Sequence, residues 1–276
     1  MMNLILGYAR DRDDVRAVVM TGSRANCEAP RDPFQDYDIT YLVKDVAPYR
    51  RNQQIPAYFG EVMILQTPDD MGDAASIETS YAYLMQFTDG NRIDLTFRPA
   101  ADVAPIVTDS LSLVLLDKDR RFALPPPSLR SYFPCRPTLK KFADCCNEFW
   151  WVTPYVAKGL YRDQIPYAKG MLDGPLRNQL VQMLTWYVGV STNFQATAGL
   201  LGKYLKIHLT DELWGLMERT YSDAQRENVW GSLYAMNELF RRAARITAQA
   251  FGFAYPEQED AAVSRFIREI QACSSF

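Results

Sequence analysis

Two aspartates, Asp36 and Asp38, are separated by one residue at the start of a β-rich run. Residues i and i+2 of a strand point to the same face, so these carboxylates should project together, about 6–7 Å apart. Two negative charges held that close repel each other unless a cation lies between them. Magnesium prefers oxygen ligands and commonly takes one or two carboxylates together with substrate phosphates. The pair therefore predicts a magnesium site that binds a phosphorylated substrate.

A Gly-Ser pair, Gly22 and Ser23, follows the apolar and β-branched run at residues 15–20. Such a run followed by Thr-Gly-Ser is typical of a buried strand that ends in a tight turn. Glycine lets the main chain approach a ligand closely, and backbone N–H groups in such a turn can bind a phosphate. We therefore expect this turn to lie near a phosphate group.

A third acid, Asp94, lies in the second arm of a predicted hairpin. Residues 81–87 and 92–97 flank Thr-Asp-Gly-Asn, in which Asp-Gly and Asn tolerate positive φ. If the second arm lies beside residues 37–43, three carboxylates converge on one edge of the sheet. That geometry serves two-metal transfer, in which one ion activates the attacking oxygen and the other stabilises the departing pyrophosphate.

The elements around these residues predict an α+β fold. In the first half, residues 61–65 form a further strand, and strands interleaved with helical pieces indicate a mixed β-sheet with flanking helices. Residues 124–137 carry five prolines, cannot sustain a helix, and are interpreted as a linker. We therefore predict two domains, residues 1–134 and residues 135–276.

The second half has helical periodicity and predicts an α-helical bundle, with helices within residues 139–156, 176–190 and 229–251. Pro154 is expected to kink the first of these helices or to end it early. Asp144 and Glu148 are four residues apart on that helix and share one face. Their apolar neighbours predict a mostly buried helix, in which unpaired acids are costly. The two acids are therefore candidates to bind an ammonium or guanidinium group of a cationic acceptor, and Glu148 is also a candidate base.

Composition excludes several other kinds of site. The chain has one histidine, His208, and five cysteines without CxxC spacing, which excludes a zinc site built on several histidines and argues against a disulfide framework. The formal net charge is −3 with dispersed lysine and arginine, so no nucleic-acid partner is expected. No apolar run approaches a membrane span, and the N-terminal segment lacks the features of a signal peptide. We expect a cytoplasmic protein without a membrane partner, a monomer or weak dimer.

The sequence resembles the aminoglycoside 6-adenylyltransferases, the streptomycin-modifying members of the nucleotidyltransferase superfamily. The Gly-Ser and paired-Asp elements mark only the superfamily, whereas Phe-Gln-Asp-Tyr-Asp at residues 34–38 and Asp-Cys-Cys-Asn-Glu-Phe-Trp at residues 144–150 are more specific. The resemblance spans both halves of the chain, in the segments at residues 22–24, 34–40, 89–96, 115–119, 144–150, 155–160, 239–242 and 255–256.

The resemblance implies an N-terminal nucleotidyltransferase domain and a C-terminal helical domain, with ATP, magnesium and the drug bound in a cleft. It makes Asp36 and Asp38 metal ligands, and Asp94 a third ligand or the general base. It assigns the triphosphate to a set of turn residues and one helical cation: Gly22, Ser23, Arg24 and Lys158, with Lys158 on the β- and γ-phosphates.

The implied reaction transfers AMP from ATP, with two magnesium ions, to the 6-hydroxyl of streptomycin. Asp94 or Glu148 takes the proton of that hydroxyl. Two alternatives remain open from the sequence. The first keeps the fold and changes the acceptor to another aminoglycoside, a lincosamide or an unknown metabolite. The second is a non-catalytic nucleotide-binding sensor, for which the loss of one of the three aspartates would be expected.

Overall fold

The computed structural model describes residues 1–27, 29–72 and 79–273. The chain divides into two compact units, Met1–Ser131 and Tyr132–Phe276, and the division falls inside the proline-rich segment at residues 124–137. A mixed sheet with flanking helices makes up the first unit and helices make up the second, which confirms the predicted α+β class.

The first unit contains a six-stranded sheet in the order β3-β4-β5-β2-β1-β6. Strands β2 and β5 pair in parallel, and the other neighbouring strands pair antiparallel. The strands are β1 Val15–Thr21, β2 Tyr37–Val43, β3 Val62–Gln66, β4 Tyr81–Phe87, β5 Arg92–Pro99 and β6 Leu113–Asp117. The α-helices of this unit are α1 Met2–Arg10, α2 Gly22–Ala25, α3 Gln54–Phe59 and α4 Ala104–Thr108.

Alternating side chains determine which face of the sheet is buried. In β4 and β5 every second residue is fully buried, and Tyr83, Leu95 and Phe97 belong to one core cluster. Helix α1 packs on this cluster, where the Tyr41 hydroxyl donates a hydrogen bond of 2.7 Å to the Ile5 carbonyl. The opposite alternate positions of β5, which include Asp94, are only partly buried and remain accessible.

The sequence predicted five of these strands, and β6 was missed. Its run Leu-Val-Leu-Leu-Asp is apolar without alternation, and such short runs do not distinguish a strand from a helix. In the structure β6 lies at the edge of the sheet and pairs only with β1 among the described strands. All five of its residues are partly buried, which fits an edge strand.

The second unit is a helical bundle. Its main helices are α5 Leu139–Tyr161, α6 Ile165–Met171, α7 Arg177–Ser191, α8 Leu205–His208, α9 Asp211–Arg219, α10 Arg226–Phe251 and α11 Glu257–Cys273. Helix α10 packs against α5, α7 and α9, and α11 packs against α5. The Phe149 and Phe240 rings stack at 3.7 Å between centroids where α5 meets α10. Among the residues described, every helix is too short or too polar to cross a lipid bilayer.

Pro154 lies inside a continuous helix, so the expectation of an early end to the helix was wrong, and the expected kink stays a prediction. Helix α5 runs unbroken for 23 residues, and the Thr138 hydroxyl caps its first turn by accepting from the Lys141 N–H. A proline removes one N–H from the helix, which costs roughly 3 kcal/mol. Buried side chains on both sides of the proline, among them Trp150 and Val156, offset that loss by packing into the core.

An ion network joins α10 to α11. The buried Asp260 carboxylate accepts hydrogen bonds from Arg241 Nε at 2.5 Å and from Arg241 Nη2 at 2.6 Å. The Tyr255 and Ser264 hydroxyls donate to the same carboxylate at 2.8 Å and 2.9 Å. These four donors lower the pKa of Asp260 although burial alone would raise it. Arg241 is therefore a structural residue.

Candidate active site

The parallel pairing of β2 with β5 brings the predicted acids together. Asp38 on β2 faces Asp94 on β5 in the strand register, which confirms that the second hairpin arm lies beside residues 37–43. Asp36 immediately precedes β2, two residues before Asp38. Directly paired positions and positions two apart lie on the same face of a sheet. The three aspartates therefore occupy one face, at the end of the strand pair.

Arg92, a residue that the sequence analysis did not single out, lies between two of these acids. Its Nε is 2.8 Å from Asp94 Oδ1 and its Nη2 donates to Asp94 Oδ2 at 2.9 Å. The same Nε is 3.6 Å from Asp36 Oδ2. The sequence did contain a sign of this contact. Arg92 is two residues before Asp94 on the same predicted strand, so the two side chains must lie on the same face of the sheet. The guanidinium holds Asp94 and partly neutralises the acidic cluster.

Burial and a neighbouring negative charge both shift the pKa of the Asp36 carboxyl group upward. Burial raises the pKa of Asp36, and the Asp94 carboxylate raises it further, while Arg92 and Arg24 lower it in part. The net pKa of Asp36 is raised, which means that its charged form lacks full compensation from the protein. An additional cation at this position would relieve that imbalance.

Because Gly22 has no side chain, it leaves room for the Asp38 carboxylate. Strand β1 pairs with β2 so that Thr21 faces Asp38, and Gly22 follows at φ +69°. A Cβ atom added at Gly22 would lie only 2.1 Å from Asp38 Oδ2. No other residue type fits this position without displacing the carboxylate, so the glycine of the turn fixes where Asp38 points. The expected contact between this turn and a phosphate stays a prediction.

Ser23 and Arg24, both in the short helix α2, contact the loop before β2. The Arg24 guanidinium donates to the Gln35 carbonyl at 2.7 Å and to the Asp36 carbonyl at 3.1 Å, and it lies 3.7 Å above the Tyr37 ring. The Ser23 carbonyl accepts a hydrogen bond of 3.4 Å from the Gln35 amide. Arg24 thus fixes the backbone that carries Asp36, and its binding to triphosphate stays a prediction.

The aspartates suit magnesium as a partial ligand set. No group of three acidic, histidine or cysteine side chains forms a preassembled metal cluster within the described ranges. Two nitrogens of Arg92 bind the Asp94 carboxylate, whereas Asp36 is only 3.6 Å from the same guanidinium. Magnesium commonly binds one or two carboxylates and completes its coordination with phosphate and water oxygens. The residues present fit that pattern.

Asp144 and Glu148 lie in the second unit and line a cavity of about 740 Å³. We call this the polar cavity, and its walls come from α5, α7 and the segment before α5: Pro134, Cys135, Arg136, Lys141, Asp144, Cys145, Asn147, Glu148, Gln179, Gln182, Thr185 and Trp186. Both acids are exposed, so the expectation of a mostly buried helix holds only for the opposite face of α5. These two acids are candidate site residues because they line a cavity, and not because they are buried.

The two acids differ in their partners. Asp144 pairs with Lys140 Nζ at 2.6 Å on the exposed surface of α5. The Glu148 carboxylate makes no hydrogen bond or ion pair with the part of the protein that the structure describes. Because an exposed ion pair of the Lys140 type contributes little, both carboxylates can accept a ligand cation.

Lys158 lies outside the polar cavity. It lines a second cavity of about 500 Å³ between α5 and α11, with its Nζ 5.7 Å from the centroid of the Phe266 ring. We call this the aromatic cleft, lined by Asn147, Trp150, Trp151, Pro154, Tyr155, Lys158, Glu259, Ala262, Val263 and Phe266. Asn147 lines both cavities, so the two are adjacent along α5. The helical period of α5 predicted one face, but not its division into two cavities.

The chain is similar to known adenylyltransferases over nearly its whole length. A family model described as streptomycin adenylyltransferase matches residues 1–270. Aminoglycoside 6-adenylyltransferases from Campylobacter jejuni and Bacillus subtilis (strain 168) are 35% and 34% identical, over 97% and 94% of this chain and 93% of each relative. One from Staphylococcus aureus is 32% identical over 97% of this chain and 96% of that protein.

A solved structure gives the same result. The crystal structure of an aminoglycoside 6-adenyltransferase from Bacillus subtilis matches with a TM-score of 0.50 and 30% identity. The match covers 98% of this chain and 97% of that chain. The similarity therefore extends over both units.

Proposed function

Because this chain belongs to the streptomycin adenylyltransferase family of enzymes, we propose that it transfers AMP from ATP to an aminoglycoside and so confers resistance. The acceptor that we propose is the 6-hydroxyl of streptomycin. The family resemblance seen in the sequence is confirmed by this membership. We further propose the identity of the acceptor, the use of magnesium and the roles of individual residues.

The observation that carries the proposal is the register of Asp38 with Asp94, with Asp36 beside them and Arg92 between. Asp36 and Asp38 would hold magnesium, and Asp94 is a third ligand or the general base. When bound, the metal supplies positive charge against the triphosphate and the departing pyrophosphate. Gly22, Ser23 and Arg24 form the turn proposed to hold the triphosphate, and Lys158 contributes a cation for its β- and γ-phosphates.

The proposed reaction is a single in-line displacement. The acceptor hydroxyl gives its proton to a carboxylate, Asp94 or Glu148, and its oxygen forms a bond to the α-phosphorus of ATP. The bond between the α-phosphorus and the bridging oxygen breaks, and pyrophosphate leaves with that electron pair. Positioning and electrostatic stabilisation of the spreading negative charge supply most of the acceleration.

The polar cavity suits a hydroxylated and cationic acceptor. Glu148 and Asp144 offer negative charge, and the amides of Asn147, Gln179 and Gln182 both donate to and accept from hydroxyl groups. Two cationic side chains, Arg136 and Lys141, also line the cavity, so its walls carry both positive and negative charge. Ammonium or guanidinium groups of the acceptor should therefore bind on the side of the cavity that carries the acids.

The test is pyrophosphate release from magnesium and ATP, measured with and without streptomycin, together with the mass of the drug. We expect release that depends on streptomycin and a product heavier by one AMP group. Release with another aminoglycoside or a lincosamide alone would keep the chemistry and overturn the acceptor. If none of these compounds causes pyrophosphate release although ATP still binds, the proposed transferase function is overturned. That result would favour a non-catalytic nucleotide sensor.

A further inference from the structure

A cavity of about 410 Å³ lies between helices α10 and α11, and both helices belong to the second unit. We call it the interhelix cavity, and its walls include Asn237 and Glu238 on α10 and Ile267, Arg268 and Gln271 on α11. Its volume is within the range of small-molecule sites, which is about 300–1,000 Å³. None of these residues takes part in the transfer reaction proposed above.

Two polar contacts between the helices lie at the ends of this cavity. At one end the Tyr234 hydroxyl donates to Gln271 Oε1 at 2.6 Å, and at the other end Arg241 Nη2 donates to the Ser264 hydroxyl at 3.1 Å. Each pair of positions on one helix is seven residues apart, so the two contacts are separated by roughly 10 Å along antiparallel helices. The helices are therefore held together on both sides of a gap of two turns.

Asn237 is a buried polar residue midway along this gap. It is 2% exposed and lines the cavity. Neither its amide nitrogen nor its amide oxygen has a hydrogen-bond partner among the residues that the structure describes. Buried polar groups in folded proteins are almost always bonded, because an unpaired one is costly. A ligand in the cavity supplies both missing partners if it carries an acceptor and a donor.

The other free groups around Asn237 are hydrogen-bond donors. The Arg268 guanidinium makes no ion pair or hydrogen bond within the described part of the chain. Burial raises the pKa of the Tyr234 hydroxyl, and the positive charge of Arg268 offsets part of that rise, so the guanidinium lies near this ring. The Gln271 contact with Tyr234 uses Oε1, and its side-chain nitrogen makes no bond to a described residue.

The one carboxylate among these wall residues, Glu238, is already paired. Its Oε2 accepts from Arg241 Nη1 at 2.6 Å, and its Oε1 accepts from Arg242 Nε at 2.7 Å. Arg241 is also bound to Asp260. Arg268 is therefore left as a cation without an acidic partner among the described residues. These walls favour an anion, since a guanidinium binds phosphate or carboxylate oxygens through charge-assisted hydrogen bonds.

We propose that the interhelix cavity binds a phosphate group, either as inorganic phosphate or as a small hydroxylated phosphate monoester. The phosphate oxygens accept from the Arg268 guanidinium and from the amide nitrogens of Asn237 and Gln271. A hydroxyl of the ligand, which in inorganic phosphate is the P–OH group, donates to Asn237 Oδ1. Sulfate has a similar shape but no hydroxyl at neutral pH, so the site selects phosphate over sulfate. The site does not depend on the proposed transferase function.

The first test measures binding of inorganic phosphate and of sulfate to the full-length protein by calorimetry, near neutral pH and without magnesium or nucleotide. Phosphate should bind about tenfold more tightly or better, because sulfate leaves Asn237 Oδ1 unpaired. Equal affinities would overturn the proposal. Glucose 6-phosphate distinguishes the two sources: tighter binding than inorganic phosphate supports a monoester as the ligand, and weaker binding supports inorganic phosphate.

The second test locates the bound phosphate. Arg268 and Arg265 are both exposed on α11, and only Arg268 lines the cavity, so their glutamine variants form a matched pair. Arg268→Gln should weaken phosphate binding about tenfold or more, and Arg265→Gln should bind like the unmodified protein. Unchanged binding in Arg268→Gln, or equal weakening in both variants, would overturn the proposal, since the phosphate would then lie elsewhere or respond only to overall charge.

The third test uses Asn237→Leu, which replaces the amide by an apolar group of similar size. Without phosphate this variant should be at least as stable as the unmodified protein, because the amide has no partner to lose. Added phosphate should raise the thermal midpoint of the unmodified protein and leave that of the variant unchanged. An equal rise in both proteins would overturn the proposal and would leave ordered water as the partner of the amide.

Discussion

Asp38 and Asp94 face each other across the parallel pair of strands β2 and β5. A parallel neighbour to β2 cannot follow it directly in the chain, and β5 instead arrives as the second arm of a hairpin with β4. The arrangement puts acids that are 56 residues apart in sequence at one register position. The proposed metal and nucleotide chemistry depends on this pairing.

Asp36→Asn and Asp38→Asn should each reduce kcat roughly 100-fold or more while the thermal midpoint stays within a few degrees. Each change removes a negative oxygen ligand from the proposed magnesium site and preserves the shape of the side chain. Pyrophosphate release and thermal unfolding are the two measurements. Asp11→Asn, an exposed aspartate at the end of α1, is the matched control and should keep full activity. Full turnover in both site variants would contradict the ligand assignment.

Gly22→Ala should destabilise the protein and also reduce kcat, because the new Cβ displaces the Asp38 carboxylate. Gly90→Ala is the control, since Gly90 also has positive φ but has nothing within 4 Å of an added Cβ. The left-handed backbone alone costs roughly 1–2 kcal/mol for a residue with a Cβ. Urea unfolding should therefore show that loss in both variants, and assays should show a large loss of activity only for Gly22→Ala. Equal activities would contradict a positioning role for Gly22.

Glu148→Gln should raise KM for the aminoglycoside about tenfold with little change in KM for ATP, because it removes an unpaired negative charge from the polar cavity. Salt should raise KM for the drug less steeply in this variant than in the unmodified enzyme. Glu269→Gln, an exposed acid on α11 outside that cavity, should leave both constants unchanged. A selective loss of kcat in Glu148→Gln would instead support its role as the base.

Asp260→Asn should lower the free energy of unfolding by about 1.5–3 kcal/mol, because it weakens the charge-assisted hydrogen bonds between the buried Asp260 and Arg241, which keeps Glu238 as its other partner. Glu257→Gln breaks an exposed ion pair with Arg245 and should cost about 1 kcal/mol or less. Denaturant unfolding of the two variants checks the difference. A loss in Asp260→Asn no larger than that in Glu257→Gln would contradict the structural role of the Asp260 network.

The same network predicts the response to acid. The pKa of Asp260 is lowered in the folded protein, so its stabilising contribution is complete above the unfolded pKa of about 3.9. The contribution is lost as the pH falls through the lower folded pKa. The thermal midpoint of the unmodified protein should therefore fall faster than that of Asp260→Asn as the pH is lowered below about 4. Parallel curves for the two proteins would contradict this assignment.

Short-range sequence patterns predicted much of the candidate site. The Asp-x-Asp pair on a strand, the Gly-Ser turn after β1 and the Asp-Gly hairpin turn are short-range patterns, and the structure confirms each of the predicted strands around them. The roles of Asp94, Arg24 and Lys158 remain predictions. Pro154 shows the limit of such patterns, because packing around Trp150 and Val156 overrides the local preference to end the helix.

The sequence by itself determined the class of fold, the family and the strands on which the aspartates lie, because alternation, turn residues and motif spacing are properties of neighbouring residues. Only the tertiary structure decided that β5 pairs in parallel with β2, that Arg92 lies between Asp36 and Asp94, and that Gly22 is pressed against Asp38. It also decided that one face of α5 opens into two cavities, where α7 and α11 pack beside it. The physical reason is that the side-chain period tells which face of an element is buried, whereas its neighbours are selected by the packing of segments far apart in the chain.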